Sequence, residues 1–367
     1  MNKSLEDLAL ITYGKDYKSN PNGDTFPIYG TGGLMGYTSV KLNSGPAILT
    51  GRKGSINKPF YIEGDFWHVD TIFCVKAKSG VNPKWLFYNL KNTDLNKLNE
   101  ATGVPSVNTQ SLYKLEFNYF NPDKQQKIAQ ILSTCDAVIE KNEAAIAKYQ
   151  AMKKGLMHDL FTRGIDINTG KLRPKQEDAK HLYKESELGW IPKEWEVKRL
   201  EDFLEMKSGE TITSDYIESS SEYPVYGGNG LRGYTNNYTH NGDYVLIGRQ
   251  GALCGNVVIA NKRFYASEHA IVVTILDKSC IFWLYEKLQY MNLNQYSEAS
   301  AQPGLSVNKI LKLKVSLPND VEQKIISAKF SSINLRIQTE QSALSKYQQL
   351  KTGLMQDLLS GKVEVKV

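Results

Sequence analysis

The chain has 367 residues, 41% hydrophobic and 23% charged, which is enough to bury two cores and excludes a disordered protein. A formal net charge of +6 permits a polyanionic partner without requiring one. There is no run of about 18 apolar residues and no apolar leader, so a membrane span and secretion are not expected, and a cytoplasmic setting is. Cys74, Cys135, Cys254 and Cys280 have the spacing of neither a zinc site nor a disulfide framework.

From the N-terminus, short apolar runs alternate with turn signals: A-I-L-T-G before R-K-G, then T-I-F-C-V-K-A before K-S-G. These read as strands, and P-K-W-L-F-Y-N-L-K around Trp85 as a short helix, giving a mixed α/β domain over residues 1–121. Beyond Pro122 the apolar positions advance by alternating steps of four and three: Ile128, Leu132, Cys135, Ile139, Ile146, Tyr149, Leu156 and Leu160. Asn142 and Lys153 interrupt the stripe. The pattern predicts a long helix over 122–163, ended by Gly164, with a seam narrow enough for a two-stranded coiled coil. An amphipathic helix packed on its own domain is the alternative. A linker is expected over 164–189.

The second half repeats the first. Y-P-V-Y-G-G-N-G-L-R-G-Y-T from Tyr223 matches F-P-I-Y-G-T-G-G-L-M-G-Y-T from Phe26, and L-I-G-R-Q-G from Leu246 matches L-T-G-R-K-G from Leu49. L-S-V-N ending at Asn308 matches P-S-V-N ending at Asn108. K-Y-Q-Q-L-K-T-G-L-M-Q-D-L from Lys346 matches K-Y-Q-A-M-K-K-G-L-M-H-D-L from Lys148. The offset stays between 197 and 200 residues throughout. A second mixed domain is therefore expected over 190–318 and a second helix over 319–361, with stripe residues Ile326, Phe330, Ile333, Ile337, Leu344, Tyr347, Leu354 and Leu358. Glu340 and Lys351 interrupt it at the positions equivalent to Asn142 and Lys153. The fold class is thus α+β: two tandem mixed domains, each followed by a long helix, with the helices pairing as an antiparallel coiled coil. Its central seam would be Ile139, Asn142 and Ile146 against Ile337, Glu340 and Leu344, with Asn142 and Glu340 about a turn apart, fixing register.

No phosphate-binding G-x-x-x-x-G-K-[ST], no G-x-S-x-G elbow, no H-E-x-x-H and no N/D-P-P-F/Y motif of amino-methyltransferases is present, so no catalytic site is expected. Asp70 and Glu268 are equivalent lone carboxylates after strands, which suits a turn role, and His68 is matched by Ala266. The repeated loops offer a polar surface instead. In Y-G-x-x-G-x-x-G-Y the glycines permit tight turns, and Tyr29, Gly33 and Tyr37 correspond to Tyr226, Gly230 and Tyr234, with Arg232 beside them. In G-R-x-G, Arg52 and Arg249 could make bidentate bonds to a phosphate or a guanine edge, or could cap the turn of their own domain. Their neighbours Lys53 and Gln250 differ, as expected of residues that read sequence on a shared scaffold.

These motifs, together with L-G-W-I-P-K-E-W from Leu188, make the chain resemble the specificity subunit of type I restriction–modification systems over nearly its whole length. The first copy lacks the G-W-I-P-x-x-W opening, which reads as a shortened N-terminus. The resemblance implies two target-recognition domains that each read half of a split double-stranded DNA target. It also implies helical spacers on which two modification (methyltransferase) subunits and ATP-driven restriction subunits assemble. S-adenosylmethionine, ATP and magnesium then belong to those partners, and this chain needs no cofactor. A coiled-coil scaffold with protein- or glycan-binding heads is the alternative function.

Overall fold

The structure, a computed structural model, describes residues 1–251, 253–298 and 303–366. The chain forms two units, Met1–Ala144 with Glu340–Val367, and Ala145–Thr339. Each unit is completed by part of the other repeat's helix.

In the first unit, β1 (Asn2–Ser4), α1 (Leu5–Leu8), β2 (Ala9–Tyr13), β3 (Asn22–Gly30), β4 (Gly33–Thr38), β5 (Asn43–Ser44) and β6 (Ala47–Gly51) come first. They are followed by β7 (Phe60–Ile62), β8 (Asp65–His68), β9 (Ile72–Ala77), α2 (Pro83–Asn92), α3 (Thr109–Tyr113), β10 (Glu116–Asn118) and the long α4 (Pro122–Thr162). One antiparallel sheet runs β2-β9-β6-β7; another runs β4-β3-β8-β5, with β3 and β8 parallel. Their alternating Val, Ile and Phe residues fill the core, while α2 contributes the wholly buried Trp85. Asn82 caps α2 by accepting from the Trp85 N–H, and Pro83 opens it.

The second unit contains β11 (Tyr183–Ser186), β12 (Gly189–Pro192), β13 (Glu196–Arg199), β14 (Leu204–Ser208), β15 (Tyr223–Gly227), β16 (Gly230–Thr235), β17 (His240–Asn241) and β18 (Tyr244–Gly248). After them come β19 (Val257–Ala260), β20 (Arg263–Ala266), β21 (Ala270–Ile275), α5 (Ile281–Tyr290), α6 (Val307–Leu311), β22 (Lys314–Leu317) and α7 (Asp320–Ser360). Sheets β14-β21-β18-β19 and β16-β15-β20-β17 repeat the topology of the first unit, and Trp283 takes the place of Trp85. Residues 183–192, across the junction of the expected linker and second domain, form the hairpin β11–β12.

Within each unit the two long helices run antiparallel. In the first, Lys124 pairs with Glu364 and Asp136 with Lys351, so the partner number falls as the first rises. Ile128 and Leu132 share a core with Met355 and Leu358. In the second, Arg336 lies 6.0 Å from the Tyr149 ring and Phe330 stacks at 5.5 Å on Phe161. The six seam residues, Ile139, Asn142, Ile146, Ile337, Glu340 and Leu344, are all half-buried. Asn142 gives its amide to the Val138 carbonyl at 3.1 Å, and its Oδ1 is buried without a partner.

The lysines that interrupt the stripe have a structural reason. Lys351 bonds Asp136, whose other oxygen accepts from the Tyr88 hydroxyl at 2.7 Å. Lys153 bonds the buried Glu286 at 3.0 Å, and Asn334 donates to the same carboxylate at 2.8 Å. These ties, with buried Gln125 and Gln323 accepting from the N–H groups of Asn82 and Cys280 at 2.8 Å, fasten each long helix to the short domain helix beneath it.

Candidate nucleic-acid interface

The repeated glycine motifs become two turns that meet in each unit. In the second unit, β15 and β16 form a hairpin whose turn is Gly228–Asn229, and Gly230 follows at φ +83°. The G-R-x-G turn follows β18 and also has its glycine left-handed, Gly251 at φ +94°. A Cβ on Gly228 would collide with the Gln250 carbonyl, and one on Gly248 with the Gly228 carbonyl, so the glycines let the two backbones touch. The first unit matches, with the β3–β4 turn at Thr31–Gly32, Gly33 at φ +105° and Gly54 at φ +90°. A third segment, the loop before α3 or α6, joins the turn. The Gly54 N–H donates to the Pro105 carbonyl at 2.8 Å and the Gly251 N–H to the Pro303 carbonyl at 2.9 Å.

Not all of the expected site residues face outward. Tyr29 packs at a tilt on Phe60 at 5.6 Å and edge-on against Phe66 at 6.4 Å, and Tyr226 edge-on against Phe264 at 5.7 Å; burial raises both hydroxyl pKa values. Both rings pack on their own domain, and both residues are half-buried. Tyr234 is half-buried with its backbone paired to Glu218, whereas Tyr37 is exposed. Gly33 and Gly230 shape the hairpin. Lys53, Arg232 and Gln250 are exposed.

Arg52 and Arg249 stand between the two readings offered for them. Arg52 donates to the Asp70 carbonyl at 3.1 Å and lies 5.3 Å from the Tyr13 ring. Arg249 donates to Ser208 Oγ at 3.1 Å. Tyr13 and Ser208 each end the equivalent edge strand, so the scaffold props each guanidinium from the same place. Each uses one donor in this way, and a guanidinium has five.

In the second unit the hairpin, the G-R-x-G turn and His269 enclose an open groove of about 580 Å³ lined by Arg232, Gln250 and Asn229. The exposed Leu231 and Leu253 at its rim were not expected from the sequence. His269 was also missed; it pairs with Glu268 at 3.2 Å, and Glu268 also accepts from the Ile212 N–H at 3.3 Å, a turn role. His68 is buried without a polar partner, and burial pulls its imidazole down to about 4. Among the described residues no group of acidic, cysteine or histidine side chains could hold a metal, and no helix is long and apolar enough to cross a membrane.

A family model described as "Type I restriction modification DNA specificity domain" matches residues 1–148 and 192–348. The chain is 43% identical over 163 residues to the EcoprrI specificity subunit of Escherichia coli, a match covering 43% of this chain and 40% of that protein. It is 24% identical over 311 residues to the MjaVIII specificity subunit of Methanocaldococcus jannaschii, covering 77% of this chain and 70% of that one. The fold superposes on the crystal structure of the type I S subunit from M. genitalium with a TM-score of 0.72, at 16% identity, over 100% of this chain and 96% of that one. The chain belongs to the type I restriction–modification DNA specificity family, whose members are the non-catalytic recognition subunits of those enzymes.

Proposed function

We propose that the chain reads a bipartite double-stranded DNA target, one half-site per unit, and carries modification and restriction subunits on its paired helices in the cytoplasm. The observation that supports this reading most is the duplicated meeting of the hairpin and the G-R-x-G turn, which gathers exposed cationic and amide side chains on a rigid glycine framework. Arg52, Lys53 and Tyr37 in the first unit, and Arg232, Arg249, Gln250 and Tyr234 in the second, are the proposed DNA contacts; Gly33 and Gly230 position them. Tyr29 and Tyr226 would act through packing alone. The expected domain limits, 1–121 and 190–318 with spacers 122–163 and 319–361, divide reading from docking. Binding to a duplex should weaken steeply with salt, since each phosphate contact releases counterions. The test is to map methylated adenines in cells that express this chain with its modification partner. Methylation in a split motif whose halves are related sequences on opposite strands is expected. Methylation without a sequence motif, or salt-insensitive binding, would refute the reading.

A further inference from the structure

The strand partners in both hairpins skip one residue. In the first unit Tyr29 faces Leu34 and Ile28 faces Gly36, which leaves Met35 unpaired. In the second, Tyr226 faces Leu231 and Val225 faces Gly233, which leaves Arg232 unpaired. Each is the extra residue of a β-bulge, and bulges re-aim a side chain out of the strand's alternation. The consequence is visible in exposure: Leu34 and Met35 are 54% and 55% exposed although they are neighbours in a strand. Leu231 and Arg232 are likewise both exposed.

The bulged side chain is also guided. A Cβ on Gly30 would strike the Met35 sulfur, and one on Gly227 would lie 3.6 Å from Arg232 Cδ. Each long side chain therefore crosses the glycine that begins the hairpin turn. In the second unit this carries Arg232 along the wall of the groove it shares with Gln250 and Asn229. The backbone is the same in both units, and the chemistry at the bulge differs completely. One side chain carries a forked cationic donor and the other carries no hydrogen-bonding hydrogen at all.

We propose that the bulge residue is a base-reading position, at which Arg232 selects a guanine in one half-site and Met35 meets a thymine methyl in the other. The proposal rests on the DNA-recognition reading above. Arginine matches the O6 and N7 acceptors of guanine in the major groove with two parallel bonds, whereas an apolar side chain discriminates by contact with the thymine methyl. A position that only gripped phosphate would have no reason to be methionine in one copy.

The test is selection from a randomised duplex DNA library by the full chain bound to its modification subunits, comparing wild type with Arg232→Met and Arg232→Lys. Methionine occupies the same bulge in the first unit, so Arg232→Met keeps the fold, which a thermal melt checks. Arg232→Met should lower the preference for guanine at one position of one half-site by about 5- to 150-fold, and leave the other half-site unchanged. Arg232→Lys, which retains the charge but loses the fork, should also erode that preference. Weaker binding with base preferences intact would make Arg232 a phosphate contact and overturn the proposal. Unchanged selection would overturn it too. A wild-type chain that enriches no motif would overturn the DNA-recognition reading itself, an outcome distinct from the other two.

Discussion

Glu322 is a fully buried tie in the second unit, and its loss can be sized. Its side chain is 0% exposed and its two oxygens take four bonds. Arg173 contributes two, at 2.5 and 3.0 Å; Trp195 Nε1 gives one at 3.0 Å and the Ile165 N–H one at 2.7 Å. Glu322→Gln keeps the shape but strands the Arg173 guanidinium, itself 8% exposed, without its counter-charge. Breaking a buried pair from one side costs about 3–5 kcal/mol. Glu194, 3.7 Å from Arg173 but 56% exposed, offsets only part of that. For a unit of this size the penalty lowers the melting midpoint by roughly 6–20 °C. A calorimetric scan of the full chain, fitted with two transitions because the units need not melt together, is the assay. The transition of the second unit should move and the other should hold. The double variant Glu322→Gln/Arg173→Met removes both charges and keeps an amide oxygen to accept from Trp195 Nε1 or the Ile165 N–H, and should recover part of the loss. A fall below about 1 kcal/mol in the single variant, or a double variant as unstable as the single, would show that the buried pair does not hold this unit together.

Three further outcomes follow from the same reasoning. Arg52→Ala should weaken duplex binding by about 1–3 kcal/mol with the melting point unchanged; a collapsed melting point with normal binding by the folded fraction would leave only a turn-capping role. His68 is neutral when folded, its imidazole held at about 4 first by burial and then by Lys76, whereas the unfolded chain protonates near 6.5. Unfolding therefore takes up a proton as pH falls from about 6.5 to 4, removing about 3 kcal/mol of stability over that window. His68→Ala, the residue standing at the equivalent place in the second unit, should flatten that limb of a stability-versus-pH curve, and an unchanged slope would show that His68 is not its source. Asn142→Leu should raise the unfolding midpoint in urea, since the buried Oδ1 has no partner and removing an unsatisfied polar group recovers about 1–3 kcal/mol. A lowered midpoint would mean that the seam depends on that amide.

The duplication made most of this architecture legible, because a repeat read twice tests each element against its copy. The apolar runs became sheet strands, and the four-three stripe became helices Pro122–Thr162 and Asp320–Ser360. The exchange of helix ends between units was not legible, since heptad spacing says that a seam exists but not what lies beneath each end. The polar interruptions were the signal that could have found it: Lys153 and Lys351 sit in apolar stripes because Glu286 and Asp136 wait for them. At the candidate site the glycine turns were readable in the sequence, whereas the direction of each tyrosine ring was not. A Tyr next to a turn glycine looks the same in sequence whether its ring packs inward, as Tyr29 does on Phe60, or stands outward like Tyr37. The bulge at Met35 and Arg232 leaves no sequence mark, because it is a property of strand registration.

The two units close in the same way, and the ion pair at each closure differs in burial and so in weight. Each long helix ends at a left-handed glycine, Gly164 or Gly361, and the segment beyond it docks at the start of the other long helix. In the second unit the helix start presents Glu322 and the incoming segment presents Arg173. In the first unit the helix start presents Lys124 and the incoming segment presents Glu364. The two pairs do not weigh equally: Arg173 and Glu322 are 8% and 0% exposed, whereas Lys124 and Glu364 are 30% and 79% exposed, and an exposed pair, screened by water, contributes little. The lysine clusters follow one plan in both units. Lys153 and Lys351 occupy equivalent places, and each meets one carboxylate, on the domain helix as Glu286 or on the long helix as Asp136. Attraction common to both repeats therefore supplies the general adhesion of helix to domain. What differs between the repeats is the closure at the helix starts, where only the Arg173–Glu322 pair is buried deeply enough for its loss to be costly.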